Sequence, residues 1–496
     1  MDYYFGYILM VVYIIILLTI YILIKKSNAK KEQSILTYIL AGKNISTCLL
    51  TTSVFSAWIW VTTIIGSAEA CVLYGITGAI GYTLGAVISF FIFIFIILSM
   101  QKHMPECTNF LEFLGERYSK KVKDIYYIFA ILTTVYVAIE QAAGVSFVFH
   151  SFFDTSYKKI AFLSVFIAVI FVVLAGMKGV LYNEFLNFFM ILIGFSIFIY
   201  ILLQGFNMME IKQGLLDVKN NPNNVNYNPN ILNIASLTGI RYTIMAVVIA
   251  FGQILFDPAY YLKASLAKSL SAAKKAFFIG GIIIWSPIGL ISAIMLGFIS
   301  ISVKIDFSDS LNVSADIPTK LITMYSGNSM ILLFSFLIIC IGFTTITHYL
   351  IGIQSIFTID FYKNKIKKDA NDKEKLLFGK VVIILVGIFC GLIAISLENI
   401  SLLTIDMFCG VFFASPCGAI FAGILCKKDL KNYPIISIVL GLITGFYVWV
   451  FLIEENDWAW FFGTMTSFLV PILFLALCSL FVKTNFNFVK LRFWKP

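Results

Sequence analysis

The chain has 496 residues, of which 60% are hydrophobic and only 12% are charged, and its mean hydropathy is +0.95. A water-soluble domain of this size could not carry so much apolar surface, so the composition excludes a soluble enzyme and indicates an integral membrane protein. The net charge of +10 does not indicate nucleic-acid binding, because basic loops facing an anionic leaflet explain it.

Apolar runs long enough to cross a hydrocarbon core of about 30 Å recur along the whole chain. They predict thirteen transmembrane helices, at residues 3–24, 47–73, 77–100, 124–151, 159–177, 180–205, 238–262, 274–302, 328–359, 377–398, 400–425, 433–453 and 461–482. Basic residues follow the first span at Lys25, Lys26, Lys30, Lys31 and Lys43, and they cluster again in loops on the same side. These loops are expected in the cytoplasm, with the N-terminus outside and the C-terminus inside.

An Asn- and Pro-rich stretch at residues 220–230 cannot build a core and predicts a surface loop. Five spans lie between the first span and this loop, and the first five of the seven spans after it form a second group. Because five is odd, the two groups enter the membrane from opposite faces, as in an inverted repeat. The predicted organisation is an extra N-terminal helix and cytoplasmic linker (1–35), a first repeat (36–205), an extracellular loop (206–237), a second repeat (238–425), and two C-terminal helices with a cytoplasmic tail (426–496).

The first span of each repeat is expected to be broken. Small hydroxyl residues and a glycine interrupt one at residues 56–66, and Gly252-Gln253 interrupts the other. Unwound backbone in a membrane survives only where protein or a polar cavity satisfies it, so the two breaks predict a binding site near the midplane. For any one glycine, close helix packing is the alternative.

Short motifs recur in a fixed order along residues 36–425. They are Ala41-Gly42-Lys43, Ser56-Ala57-Trp58-Ile59-Trp60, Tyr74-Gly75, Phe110-Leu111-Glu112-Phe113, Arg117-Tyr118, Ala175-Gly176-Met177-Lys178-Gly179, Asp257-Pro258-Ala259-Tyr260-Tyr261 and Phe357-Thr358-Ile359-Asp360-Phe361-Tyr362. In this order they resemble the sodium:solute symporter family, and most closely its urea-active transporters. The resemblance implies an all-α polytopic membrane protein with the leucine-transporter-like fold of two inverted five-helix repeats.

The resemblance also implies a sodium site between the first helix of the first repeat and the third helix of the second. Its members by motif position are Ser56, Ile59, Ile341, Thr344 and Thr345. Sodium is a hard cation that prefers several oxygens, and unwound backbone beside adjacent threonines supplies them. The alternative for a membrane threonine is a hydrogen bond to the carbonyl one turn back.

Two acidic residues inside predicted spans have open roles. Glu184 matches a position where sodium-coupled relatives often carry an acid, so it would bind a second sodium ion or relay a proton; the alternative is an ion pair with Lys178. Glu140 lies in mid-span with no charge nearby in sequence, so it is expected to face the bundle interior, for substrate or for helix packing.

Three further ionisable residues are interpreted by position. Glu69 is expected to rim an outer vestibule or to reach water. Asp257 precedes Lys263 at a span end, as a cytoplasmic gate pair would. His348 would titrate near neutral pH and couple protons, with local hydrogen bonding as the alternative.

The substrate contacts implied by the resemblance are Trp58, Thr62, Thr63, Tyr82, Ala250 and Gln253, with Glu140 beside them. Aromatic walls with few polar groups suit a small solute. Sugar-binding members use polar residues where this chain has Trp58, Thr63 and Ala250, so a sugar is not expected. The acids would instead suit a cationic solute such as a polyamine or a guanidinium compound.

The predicted function is sodium-coupled symport of a small polar solute, urea or a small nitrogenous compound, by alternating access in the plasma membrane. The alternatives are a proton-coupled or polyamine symporter, a passive channel and a transporter-like sensor. The expected partners are the solute, the sodium ion or a proton, and the bilayer; no cofactor, nucleic acid or obligatory protein partner is expected. The nine scattered cysteines form no CxxC pair, and no phosphate loop or metal-ligand cluster indicates an enzyme.

Overall fold

The structure, a computed structural model, describes residues 2–27, 34–307, 310, 312–452 and 458–495. These residues form helices and, apart from two isolated bridges, no β structure. An apolar chain in hydrocarbon must satisfy each backbone N–H and C=O internally, and a helix does so within one segment. The predicted all-α class is confirmed.

The helices are numbered here in chain order. They are α1 (Tyr3–Ser27), α2 (Ile35–Tyr38), α3 (Thr47–Trp58), α4 (Val61–His103), α5 (Phe110–Arg117), α6 (Lys120–Phe153), α7 (Tyr157–Gln204), α8 (Met208–Asn220), α9 (Leu237–Leu255), α10 (Pro258–Leu266), α11 (Leu270–Ser302), α12 (Val313–Tyr325), α13 (Asn328–Ile366), α14 (Asp372–Leu397), α15 (Leu402–Ala414), α16 (Cys417–Leu425), α17 (Tyr433–Phe451), α18 (Ala459–Phe481) and α19 (Val489–Arg492).

Helices α4 and α7 are too long for one crossing. They have 43 and 48 residues, or about 65 and 70 Å at about 1.5 Å per residue, roughly twice the hydrocarbon thickness. Each turns at a glycine in the left-handed region, Gly75 with φ 68° and Gly176 with φ 61°. A Cβ on Gly78 would lie 2.1 Å from the Ala70 carbonyl oxygen, an approach that only a sharply bent α4 allows.

Ten helices of the described chain are long and apolar enough to cross a membrane, and α15 with α16, bent by 43°, can form an eleventh. Counting α4 and α7 as two spans each raises ten or eleven to twelve or thirteen. The predicted thirteen spans, the outside N-terminus and the domain boundaries stay predictions. Lys30 and Lys31, which support the orientation, lie outside the described residues.

The first predicted break is present. Helix α3 ends at Trp58 and α4 begins at Val61, with Ile59 and Trp60 extended between them (ψ 106° and 166°). Both ends of the break lie in the protein interior, because α3 packs on α7 and α13 while α4 contacts α6, α9 and α13.

The second break was predicted at the wrong place. Gly252 and Gln253 are helical, and the chain leaves the helix only after Leu255. The cause is Pro258, which disfavours helical geometry at Asp257, and the Asp257 carboxylate then accepts a hydrogen bond from the Ala259 N–H at 2.8 Å to begin α10. A single glycine costs a helix only about 1 kcal/mol and does not end it.

Candidate functional site

Side chains from distant helices satisfy the backbone at the first break. The last carbonyls of a helix have no intrahelical donor. The Trp58 carbonyl accepts a hydrogen bond from Trp285 Nε1 at 3.0 Å, and the Ile59 carbonyl accepts one from Thr345 Oγ1 at 3.2 Å. The break is therefore built jointly with α11 and α13.

The start of α4 is satisfied in the same way. The Trp60 N–H donates to Thr63 Oγ1 at 3.0 Å, and the Val61 N–H donates to Gln141 Oε1 at 2.7 Å. Gln141 is completely buried on α6. The opening in the helix is thus a fixed feature held by side chains.

Three predicted sodium-site residues come together at this break. Thr345 Oγ1 lies 3.2 Å from the Ile59 carbonyl oxygen and 3.1 Å from the Ile341 carbonyl oxygen. The second contact is the hydrogen bond to the carbonyl one turn back that was the alternative for a membrane threonine. All three residues are buried. Two carbonyls and a hydroxyl that converge from two helices form the kind of oxygen set that suits a hard cation.

The other two predicted sodium-site residues have hydroxyls engaged elsewhere. Ser56 Oγ donates to the Glu184 carbonyl at 2.8 Å, and the Thr344 hydroxyl accepts from the Asn187 amide. The same Asn187 nitrogen lies 2.8 Å from the hydroxyl of Tyr13, on α1. Helix α1, which lies outside the predicted repeats, therefore reaches the neighbourhood of the predicted cation site.

A buried charge network lies one to two turns from the break, towards the start of α3. Lys263 Nζ is 2.6 Å from Glu184 Oε1, and Ser53 Oγ donates to Glu184 Oε2 at 2.5 Å. His348 Nε2 is 2.6 Å from Asp257 Oδ2, and its Nδ1 is 3.4 Å from Glu184 Oε1. These side chains are completely buried and join α3, α7, α10 and α13.

This network corrects two sequence-based pairings. Glu184 was paired with Lys178 as one alternative, but its ion pair is with Lys263 on α10. Asp257 was paired with Lys263, but its partner is His348. The alternative of a second cation at Glu184 stays a prediction, although an ammonium group of the protein already lies against Oε1.

A cavity lies beside the break. Its volume is about 50 Å³. One water molecule needs about 10–15 Å³ on the same measure, so the space suits a solute of a few non-hydrogen atoms. Its aromatic walls are Trp58, Trp60, Tyr82, Tyr242 and Trp285, and its polar side chains include Thr63, Gln253 and Asp406.

The cavity contains five of the seven predicted substrate residues: Trp58, Thr63, Tyr82, Ala250 and Gln253. Thr62 and Glu140 do not line it. Both are completely buried and lie close to each other. Their substrate roles stay predictions.

Asp406 is the site residue that the sequence interpretation missed. It lines the cavity from α15, and its Oδ1 accepts hydrogen bonds from Tyr136 and, at 2.7 Å, from Gln253 Nε2. The signal was available, because an acid within an apolar run marks a functional site by default. Glu69, Glu140 and Glu184 are interpreted by this rule above, whereas Asp406 is overlooked.

Glu69 does not reach water. It is 4% exposed and accepts a hydrogen bond from Ser314 on α12. The expectation that it simply extends into solvent is wrong, because α12 covers this part of α4.

Comparison with known proteins places these features in context. A model of the sodium:solute symporter family matches residues 38–482. The urea active transporter of Saccharomyces cerevisiae is 22% identical over 489 residues, covering 91% of this chain and 65% of that protein. A urea-proton symporter of Oryza sativa subsp. japonica is 21% identical over 436 residues, covering 83% of this chain and 60% of that protein. The chain thus spans less than two thirds of the length of either relative.

Solved structures show the fold. A Na+-coupled sialic acid symporter, in a substrate-bound outward-open state, superimposes with a TM-score of 0.78 at 16% identity, covering 97% of this chain and 98% of that one. A nucleobase-cation-symport-1 family transporter in a closed conformation superimposes with a TM-score of 0.55 at 11% identity, covering 89% and 94%. The predicted leucine-transporter-like fold is confirmed.

Proposed function

The chain belongs to the sodium:solute symporter family, and from that premise we propose that it is a secondary active transporter of the plasma membrane. It carries a small polar nitrogenous solute of the urea type inward with sodium, by alternating access. The similarity to urea transporters over most of the chain supports the solute class. The small cavity supports it too, since it leaves room for only a few atoms.

The observation that carries the proposal is the convergence of the Ile59 and Ile341 carbonyls on the Thr345 hydroxyl. A sodium ion among these oxygens would join the broken helix to α13. Ion binding would therefore favour the conformations in which α3, α4 and α13 are together, and a ligand shifts an equilibrium only through such differential binding.

Coupling follows because the ion and the solute share one broken helix. Trp58 lines the cavity and is adjacent in sequence to Ile59, whose carbonyl belongs to the ion site. An ion that holds the Ile59 carbonyl in place also holds the adjacent Trp58 side chain in the wall of the cavity. Each ligand then raises the affinity for the other by the same factor, which is reciprocal linkage.

The buried network supplies the closed gate on the side of the lysine-rich loops. Ser53 and Lys263 lie between the cavity and the starts of α3 and α11, where those loops begin. Opening a path there requires Glu184 to separate from Lys263, and Asp257 from His348. A pair that is fully buried resists separation, because a lone buried charge is costly.

A second candidate function is symport with a proton in place of sodium. It is supported by the position of His348 between the carboxylates of Asp257 and Glu184 and by the similarity to a urea-proton symporter. With neutral His348 the four side chains carry one net negative charge, and a proton on the imidazole would cancel it.

The test is uptake of labelled urea into proteoliposomes under an inward sodium gradient at equal pH, and separately under an inward proton gradient without sodium. The double variant Thr344→Ala/Thr345→Ala is compared with wild type. Sodium-driven accumulation that the double variant loses supports the proposal. Accumulation driven only by protons supports the second candidate, and uptake that ignores both gradients contradicts symport altogether.

A further inference from the structure

Two carboxylates meet beside the cavity, one from each predicted repeat. Glu140 lies on α6 and Asp406 on α15. The Tyr136 hydroxyl donates to Asp406 Oδ1, and Glu140 is close enough to interact electrostatically with both Tyr136 and Asp406. Asp406 therefore lies in the wall of the cavity, and Glu140 lies behind that wall, close to the same tyrosine.

Neither acid has a positive partner in the described part of the chain. Glu140 is completely buried and Asp406 is 8% exposed, and neither takes part in a salt bridge. The Glu140 carboxylate accepts hydrogen bonds only from neutral groups, among them Gln141 Nε2 at 3.5 Å. A buried carboxylate without a cationic partner is costly, so this pair favours binding a positive charge from outside the protein, either a proton or a cation.

A third carboxylate nearby, that of Glu69, is already satisfied. It accepts a hydrogen bond from Ser314 and lies against the N-terminal end of α15, near the Leu403 N–H. Near the cavity, Glu140 and Asp406 are therefore the two acids that remain able to bind a positive charge.

The rest of the cavity also suits a cation. Five aromatic rings line it, and none of the described lining residues is basic. The faces of tryptophan and tyrosine rings attract ammonium and guanidinium groups. The small volume of the cavity favours a compact cation over a long, extended amine.

We propose that Glu140 and Asp406 bind the positive charge of the transported solute, which is a compact, planar organic cation of the guanidinium type. Asp406 contacts the cation directly in the cavity, and Glu140 stabilises it from behind the wall. This inference rests on the proposed symport and narrows its solute class from neutral urea to a cation of nearly the same shape.

The test compares two probes that differ mainly in charge, guanidinium and urea, each labelled and each supplied to proteoliposomes of the full chain under the sodium gradient. Wild type is expected to accumulate guanidinium, and unlabelled guanidinium is expected to compete with labelled urea. Asp406→Asn and Glu140→Gln are each expected to lower guanidinium uptake by at least about tenfold, the scale of a lost buried charge pair, while urea uptake falls less. Glu112→Gln, a buried acid far from the cavity, is the matched control and should leave the ratio of the two uptakes unchanged.

The outcomes distinguish failure of the cationic solute from failure of the proposed symport. Accumulation of urea without accumulation or competition by guanidinium overturns the cationic solute and leaves the proposed symport standing. Unchanged guanidinium uptake in both acid variants also overturns it. Failure of both probes to accumulate contradicts the proposed function and this inference with it. If the variants fold poorly, competition in wild type decides alone.

Discussion

At the scale of single residues, Thr345 is the point at which α13 meets the broken helix through one hydroxyl. Thr345→Ala removes an oxygen from the proposed ion site and leaves the Ile59 carbonyl without its donor. We expect the sodium concentration for half-maximal uptake to rise by about tenfold or more, because a hydrogen bond or ligand of a charged group contributes about 1.5–3 kcal/mol.

Thr345→Ser is the matched control for that measurement, since it keeps the hydroxyl and loses only a methyl group. It should remain close to wild type. A Thr345→Ala protein with unchanged sodium dependence would remove this hydroxyl from the ion site.

The Glu184–Lys263 pair gives a prediction about stability. Lys263→Met leaves the Glu184 carboxylate completely buried without its ammonium partner, and we expect a loss of about 3–5 kcal/mol in unfolding free energy. The double variant Lys263→Met/Glu184→Gln removes both charges and should recover most of it. Thermal unfolding of the purified protein in detergent measures both, and additive losses in the double variant would show that the two charges are not coupled.

At the scale of elements, the turn inside α4 depends on Gly75. Its φ is 68°, and a Cβ would lie 2.6 Å from the Ile231 carbonyl oxygen. Gly75→Ala should destabilise the protein by about 1–3 kcal/mol through backbone strain alone, with more from the contact.

Gly327→Ala is the control, because that glycine has φ −88° and open space around its Cβ position. Thermal unfolding should separate the two substitutions clearly. Equal unfolding temperatures would mean that the α4 turn tolerates a side chain.

The start of α5 gives a prediction about pH. Glu112 Oε2 accepts a hydrogen bond from the Thr108 N–H at 2.7 Å in a buried position outside the spans. Burial raises the pKa of Glu112 from 4.5 to about 7, although the Thr108 N–H opposes the rise. The folded state therefore favours the protonated acid, so its contribution to stability is complete below pH 4.5 and is lost as the pH rises through 7.

Glu112→Gln should remove this dependence. Its unfolding temperature should match that of wild type near pH 5 and exceed it above pH 7. Parallel stability curves for the two proteins from pH 5 to 8 would contradict the assignment.

At the scale of the whole molecule, the predicted sidedness can be tested with introduced cysteines, one at a time, in a Cys48→Ser background that lacks the exposed native thiol. Asn223→Cys, in the loop between the predicted repeats, should react with a membrane-impermeant maleimide on intact cells. Lys268→Cys, in the loop after α10, should react only after permeabilisation. Both positions are exposed, so labelling of both from the same side would refute the inverted repeat.

The sequence predicted the all-α membrane class because composition and long apolar runs depend on the bilayer and not on tertiary contacts. The first break was predicted because small and hydroxyl residues mark it locally. The second was misplaced because glycine was weighed above the Asp-Pro step at Asp257. The Lys263 partner of Glu184 could not be predicted, because it lies 79 residues away and only the packing of α10 on α13 brings it near.

Tyr13 connects α1 to the proposed ion site. One face of this helix is open to lipid at Ile8, Val11 and Ile15, while the completely buried Tyr13 on its other face contacts the Asn187 that holds Thr344. A helix in lipid changes its tilt with bilayer thickness at a modest energy cost. The membrane's own thickness is thereby connected to the proposed ion site, and we expect acyl-chain length to change how steeply transport depends on the cation.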